Sequence, residues 1–185
     1  MSVAPAEGCD DGALMADATE GDANDLDAAR DRLERAGTAI VAGVERGAPA
    51  WIVASVTRIV DAWGRLDGAA RAAALAAASD VATSATADVV AQLRDLFARD
   101  AAEQRTTPLQ IVRGLVAAPT AVLRAAGVPG VERDAFGARA FPDDEYDLAP
   151  RTLGDLGDPD LGPLLHAWGL AKAAVLRGGR PAGGP

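Results

Sequence analysis

From residue 25 to residue 46 the apolar positions Leu26, Ala29, Leu33, Ala36, Ile40 and Val44 recur every third or fourth residue, the period of one helix face. Asp22 or Asn24 is placed to cap this helix. Arg30–Glu34 and Asp31–Arg35 stand at i,i+4 on its outer side, pairs worth roughly 0.2–0.5 kcal/mol each. Gly47 is expected to end the helix, and Pro49 to open the next in its first turn. That second helix, about 49–66, carries Ile52, Val56, Ile59, Trp63 and Leu66, widened by Val53 and Val60. A stripe so broad predicts burial against more than one neighbour.

Asp67–Gly68 breaks the pattern. Residues 68–104 contain nothing that forbids helix, with Ser79–Asp80 or Thr83–Ser84 as candidate breaks. Val89, Val90, Leu93, Leu96 and Phe97 form the face of the second half. Thr107, Pro108 and Gln110 then have the order of a capping box with proline at the first helical position. Pro119 disfavours helix at Ala118 and restarts one behind it. Gly127 is expected as a left-handed terminator. A Pro- and Gly-rich stretch reads as short turns and ordered loop, before a last helix at about 160–177. Its expected inner face is Leu161, Leu164, Leu165, Trp168, Ala171, Val175 and Leu176. No strand alternation, hairpin turn or repeat is evident, so the expected fold is all-α: a compact helical bundle with a loop-rich C-terminal helical unit and disordered termini. The expected organisation is an acidic arm (1–24), a single domain (25–177, with parts 25–104 and 105–177) and a tail (178–185).

Composition sharpens this in two ways. Aromatic residues make up only 4% of the 185 positions, so the core must be built from Ala, Val, Leu and Ile, which lets helix axes approach closely. The net charge of −9 is uneven. Residues 1–27 hold eight acids and no base, whereas the remainder holds 19 acids and 18 bases. The arm repels phosphate and anionic surfaces and is expected to be a solvated tail. Cys9 is the sole cysteine, so no intrachain disulfide forms, and its acidic surroundings oppose thiolate formation. The start lacks a basic, apolar signal pattern, and no uninterrupted apolar run reaches about 18 residues. The expected location is the cytoplasm, with no membrane association.

The one cluster that invites chemistry is FPDDEYD, where Asp143, Asp144, Glu145 and Asp147 lie between Phe141 and Tyr146 and beyond. Asp143, Glu145 and Asp147 match positions 1, 3 and 5 of a calcium loop. Leu148 then replaces its sharp-turn glycine and Gly154 its bidentate glutamate. Two carboxylates ~4 Å apart repel by about 4 kcal/mol near a protein surface, so the cluster must be solvated or matched by cations. Arg139 and Arg151 flank it. The reading adopted is an ordered polar turn anchored by Phe141 and Tyr146, ahead of a docking epitope and of a site for magnesium, calcium or proton transfer.

Other constellations are thinner. His166 has no second histidine or suitably placed cysteine for zinc, and Ser2, Ser55, Ser79 and Ser84 lack a nucleophile elbow. Trp63 and Trp168 are expected as core anchors. Trp51, one position off its stripe, is the candidate interface tryptophan. Arg105, Arg113 and Arg124 make a weak basic surface, and no phosphate-binding glycine loop is present.

QRTTPLQIVRG, PTAVLRAAGVP, AFPDDEYDLAP and WGLAKA, in that order, resemble a family of small uncharacterised helical proteins from high-GC bacteria, over residues 95–177. The resemblance implies no activity, cofactor or catalytic residue. It does imply that FPDDEYD, the Gln104–Arg105 segment and Trp168 belong to one ordered unit. The expectation is therefore a non-enzymatic interaction or regulatory protein that binds a protein partner and needs no cofactor. Its contact surface would run over Phe141, Asp143, Asp144 and Tyr146, with Trp51 and Arg105 as outliers. The alternatives are a magnesium- or calcium-binding or hydrolytic domain using the carboxylates, and a weakly nucleic-acid-associated protein.

Overall fold

The computed structural model describes residues 12–128 and 149–178, with side chains from residue 24 onward. Every regular element among them is a helix. α1 spans Gly12–Trp63, α2 Gly68–Ala98, α3 Pro108–Val112, α4 Ala117–Ala125 and α5 Leu161–Gly178, with 3₁₀ turns at Arg113–Val116 and Leu153–Leu156. The expected all-α fold is the observed one.

α1 is the axis of the molecule and departs from expectation at both ends of its pattern. It begins at Gly12, inside the stretch expected to carry no regular structure. Adding a residue to an existing helix is far easier than nucleating one. It also runs straight through the expected break, with Pro49 inside it. Gly47 does not end a helix; it makes room for a neighbour. A Cβ at Gly47 would collide with the Leu156 carbonyl oxygen and lie 3.1 Å from the Leu156 Cβ. Gly43 serves Leu161 similarly, since a Cβ there would sit 3.0 Å from Leu161 Cγ.

α2 returns antiparallel to α1. Gly64, at φ +61°, ends the first helix, and Asp67 caps the second by accepting a 2.7 Å hydrogen bond from Ala70 N–H. Asp61 and Arg71 pair across the turn. Neither expected break in α2 occurs. Ser79, Thr83 and Ser84 face solvent, and their hydroxyls donate to carbonyls three or four residues earlier, sharing acceptors of the helix without interrupting it. The buried side is Ala74, Ala78 and Ala82, then Thr86, Val89, Val90, Leu93 and Leu96, so alanines face α1 in the first half and larger side chains in the second.

Residues 105–128 fold back over both helices. Thr107 and Gln110 form the expected capping box. The junction before Pro119 is a 3₁₀ turn at Arg113–Val116, with α4 starting at Ala117, two residues earlier than expected. Gly127, at φ +75°, ends α4 as predicted. Val128 N–H donates to Leu123 O and Gly127 N–H to Arg124 O, both at 3.0 Å, the pair of bonds that closes a helix on a left-handed glycine.

α5 packs along the other side of α1, with Leu161 against Gly43 and Gly178 against Leu26. The Thr152–Asp155 box caps the 3₁₀ turn that precedes α5. There Asp155 accepts from Thr152 N–H at 2.9 Å, Arg151 N–H at 2.7 Å and the Thr152 hydroxyl at 3.0 Å. These bonds, led by the Thr152 N–H, hold the Asp155 carboxyl below the ordinary aspartate range, against a smaller opposing effect of burial. Of the expected inner face of α5, Leu161, Trp168 and Ala171 are buried, whereas Leu176 is 40% exposed.

The core has two centres. One gathers Ile40, Val44, Ile52, Leu93, Val112, Leu115, Leu153, Leu161 and Trp168, drawing on both expected parts of the domain. The other gathers Val56, Ile59, Val60, Ala74, Ala78, Val116, Leu123 and Val128. Trp63, expected as an anchor, is only half-buried at the margin of the second. Within Asn24–Trp63, α1 includes an 18-residue window of mean hydropathy 1.3, long and apolar enough to cross a membrane. A core helix has the same composition, and here α2, α4 and α5 all pack against α1.

Candidate binding groove

A concave surface lies where α1 meets the ends of α2 and α5. Leu33, Gly37 and Val41 of α1 form one wall, at the four-residue spacing that aligns side chains on a helix face. Phe97 and Ala98 of α2, Ala101 and Gln104 of the following loop, and Val175 of α5 close it. It is open to solvent and holds about 700 Å³, within the ~300–1,000 Å³ of sites for small organic ligands. Its depth depends on Gly37. The Phe97 ring rests where a Cβ would be, with Cγ at 2.9 Å, and stands T-shaped to the Trp168 ring, at 6.3 Å between centroids and 65° between planes.

Behind Phe97 lies the most unusual polar cluster of the interior. Gln104 is 5% exposed. Its Nε2 donates to Arg99 O at 3.0 Å, which fixes Oε1 as the remaining acceptor, and that buried oxygen has no hydrogen-bond partner. Lys172, the chain's one lysine, donates from Nζ to Gln104 O and lies 5.1 Å from the Trp168 ring centroid, where the ring face attracts a cation. Burial holds the Lys172 amine below the ordinary lysine range. Trp168 Nε1 is likewise buried and unpartnered. An oxygen left so costs about 1–3 kcal/mol.

The rim carries charge of both signs, unequally committed. Arg30 pairs with Asp27 at 3.2 Å, Arg94 with Glu45 at 3.6 Å, and Arg99 with Asp95. Glu34 and Asp100, also on the rim, have no ion pair among the described residues. Each arginine is thus already matched, while two carboxylates are not.

The residues singled out from the sequence do not meet here. Phe141, Asp143, Asp144, Glu145, Tyr146 and Asp147 lie outside the described residues, as does Cys9. Trp51 is half-buried against the first core centre and borders a separate hollow with Ser55, Arg58, Arg151 and Asp155. Arg105 is exposed beside Gln104. The groove sits at the level of Gly37, fourteen residues from Trp51 along α1, or about 21 Å of helix, so Arg105 and Trp51 are far apart. His166 is exposed on α5. Among the described residues no three His, Cys, Asp or Glu side chains converge as a metal site.

Gln104 carried no chemical signal in the sequence beyond its place just ahead of the Thr107 cap. What distinguishes it is burial of an amide at the junction of three helices. The Gln104 segment and Trp168 do adjoin through Lys172. No family model, curated protein or solved structure matches the chain.

Proposed function

We propose that this chain is a non-enzymatic protein that acts by binding, and that the groove between α1, the end of α2 and the end of α5 receives a ligand with an apolar body. The observation that carries this is the apolar lining of the groove by Leu33, Val41, Phe97 and Val175. Leu33, Val41 and Phe97 pack against the first core centre yet stay partly exposed, and sites for small ligands are concave and mostly apolar.

Nile red, an uncharged apolar dye, tests it by fluorescence titration of the purified chain. The expected result is saturable binding of one dye per chain, abolished by Val41→Trp, which fills the groove from a half-buried position. Leu170→Gln is the control, because Leu170 is 60% exposed in a different apolar surface between α1 and α5. Absence of saturable binding, or loss on Leu170→Gln with none on Val41→Trp, would refute the proposal.

A further inference from the structure

We propose that two copies of this chain associate by exchanging the N-terminal ends of α1, each end lying in the furrow between α1 and α5 of the other copy. This surface is separate from the ligand groove, which opens on another side of α1. Two features that no contact within one chain accounts for fit one another. The first is the furrow. Ala36 and Ala39 of α1 and Ala167 and Ala174 of α5 line it, with Leu164 and Leu170 beside them. Leu170 is 60% exposed, and residues this small let a further helix approach closely. The charge at its edge is positive. Arg32 and Arg35 are exposed there and form no ion pair among the described residues; Arg35 Nε donates to the Asp31 carbonyl oxygen at 3.2 Å. α5 contains no acid, and Glu34 lies on the rim of the other groove.

The second feature is that α1 outruns its neighbours. Gly178, the last residue of α5, lies against Leu26, and Phe97, next to the end of α2, lies against Gly37. Residues 12–25 of α1 therefore continue past both helices for about 21 Å. A helical stretch so short is marginal in water without packing. This one has Asp17, Glu20, Asp22 and Asp25 and no base, together with Leu14, Met15 and Ala18. Length and direction agree with an exchange. Two α1 helices crossing antiparallel about a two-fold axis near Asp27 set residues 12–25 of each beside 29–42 of the other, the stretch that holds Arg32, Arg35, Ala36 and Ala39. Asp27 is itself matched by Arg30 at 3.2 Å, which limits repulsion at the axis. Such a contact is made twice and closes at two copies. An unrelated acidic helix would fill the furrow but leave the end of α1 without packing.

Sedimentation velocity of the full chain across the micromolar range tests this. The expected result is a monomer–dimer equilibrium that weakens as salt is raised, because exposed charges are screened, and that also weakens in Leu170→Gln. Arg32→Glu with Arg35→Glu sets acid against acid, and Asp17→Lys with Asp22→Lys sets base against base. Each double variant alone should dimerise roughly tenfold or more weakly, the scale of two partly exposed charge pairs. Mixed in equal amounts, the two should regain a dimer of wild-type strength, since both reciprocal contacts again join opposite charges. A wild type that stays monomeric would overturn the proposal. So would a dimer indifferent to Leu170→Gln or to either charge reversal, which would place the contact elsewhere, and so would a mixture that fails to associate while both variants keep the helical circular dichroism of the wild type.

Discussion

Gly47 and Gly169 are both helical glycines with opposite surroundings. In a helix interior, glycine is less favourable than alanine by about 0.5–1 kcal/mol. A Cβ at Gly169 on α5 meets nothing within 4 Å, so Gly169→Ala should raise stability by about that amount. A Cβ at Gly47 meets the Leu156 backbone, which is pinned by the Asp155 capping bonds and by burial of Leu153 and Leu156. Gly47→Ala should therefore destabilise, by roughly 1–3 kcal/mol, the range for overpacking a filled interior. Urea unfolding followed by circular dichroism reads both variants. A stabilising Gly47→Ala would mean that α5 and its leading turn do not press against α1 there.

Among the elements, α1 raises the sharpest energetic question, because Pro49 lies in its middle. Proline removes the N–H that would bond the Glu45 carbonyl and is about 3 kcal/mol less favourable than alanine within a helix. Its stiffness in the unfolded chain offsets about 1 kcal/mol of this. Pro49→Ala should thus stabilise by about 2 kcal/mol and raise the thermal midpoint. Were two helices to meet at Gly47–Pro49, proline would occupy a favourable first turn, and the substitution would be neutral or destabilising. The sequence is ambiguous on this point for a physical reason. Glycine followed by proline signals a break when judged locally, and only the approach of Leu156 and Leu161, more than a hundred residues away, shows that Gly43 and Gly47 are contact positions. Features decided within one turn were legible: the Thr107–Gln110 box, the left-handed Gly127 and the extent of α5. The groove was not, since Gly37, Phe97, Gln104 and Val175 come from four separated stretches and none is unusual alone. Leu176 matches the period of the inner face of α5 yet is 40% exposed, although Gly178 two residues on still lies against Leu26 of α1.

At the scale of the whole molecule, two core centres on one long helix could behave as one folding unit or as two. The structure contains a bridge between them: Val53 on α1 and Val81 on α2 pack against both centres. Residues 112–123 also run from one to the other, with Leu115 in the first and Leu123 in the second. Both leucines are fully buried, so Leu115→Ala and Leu123→Ala should each cost about 2–5 kcal/mol. If the centres are coupled, each substitution lowers a single unfolding midpoint, and tryptophan fluorescence coincides with circular dichroism throughout. Fluorescence is informative because Trp51 and Trp168 report on the first centre and Trp63 on the second. Two separate transitions, or a Leu123→Ala variant that loses helix while the Trp168 signal keeps its wild-type midpoint, would show that α1 merely threads two independent units. The groove would then belong to the first alone, since Phe97 and Leu33 pack against that centre, and its binding would persist after the second had unfolded.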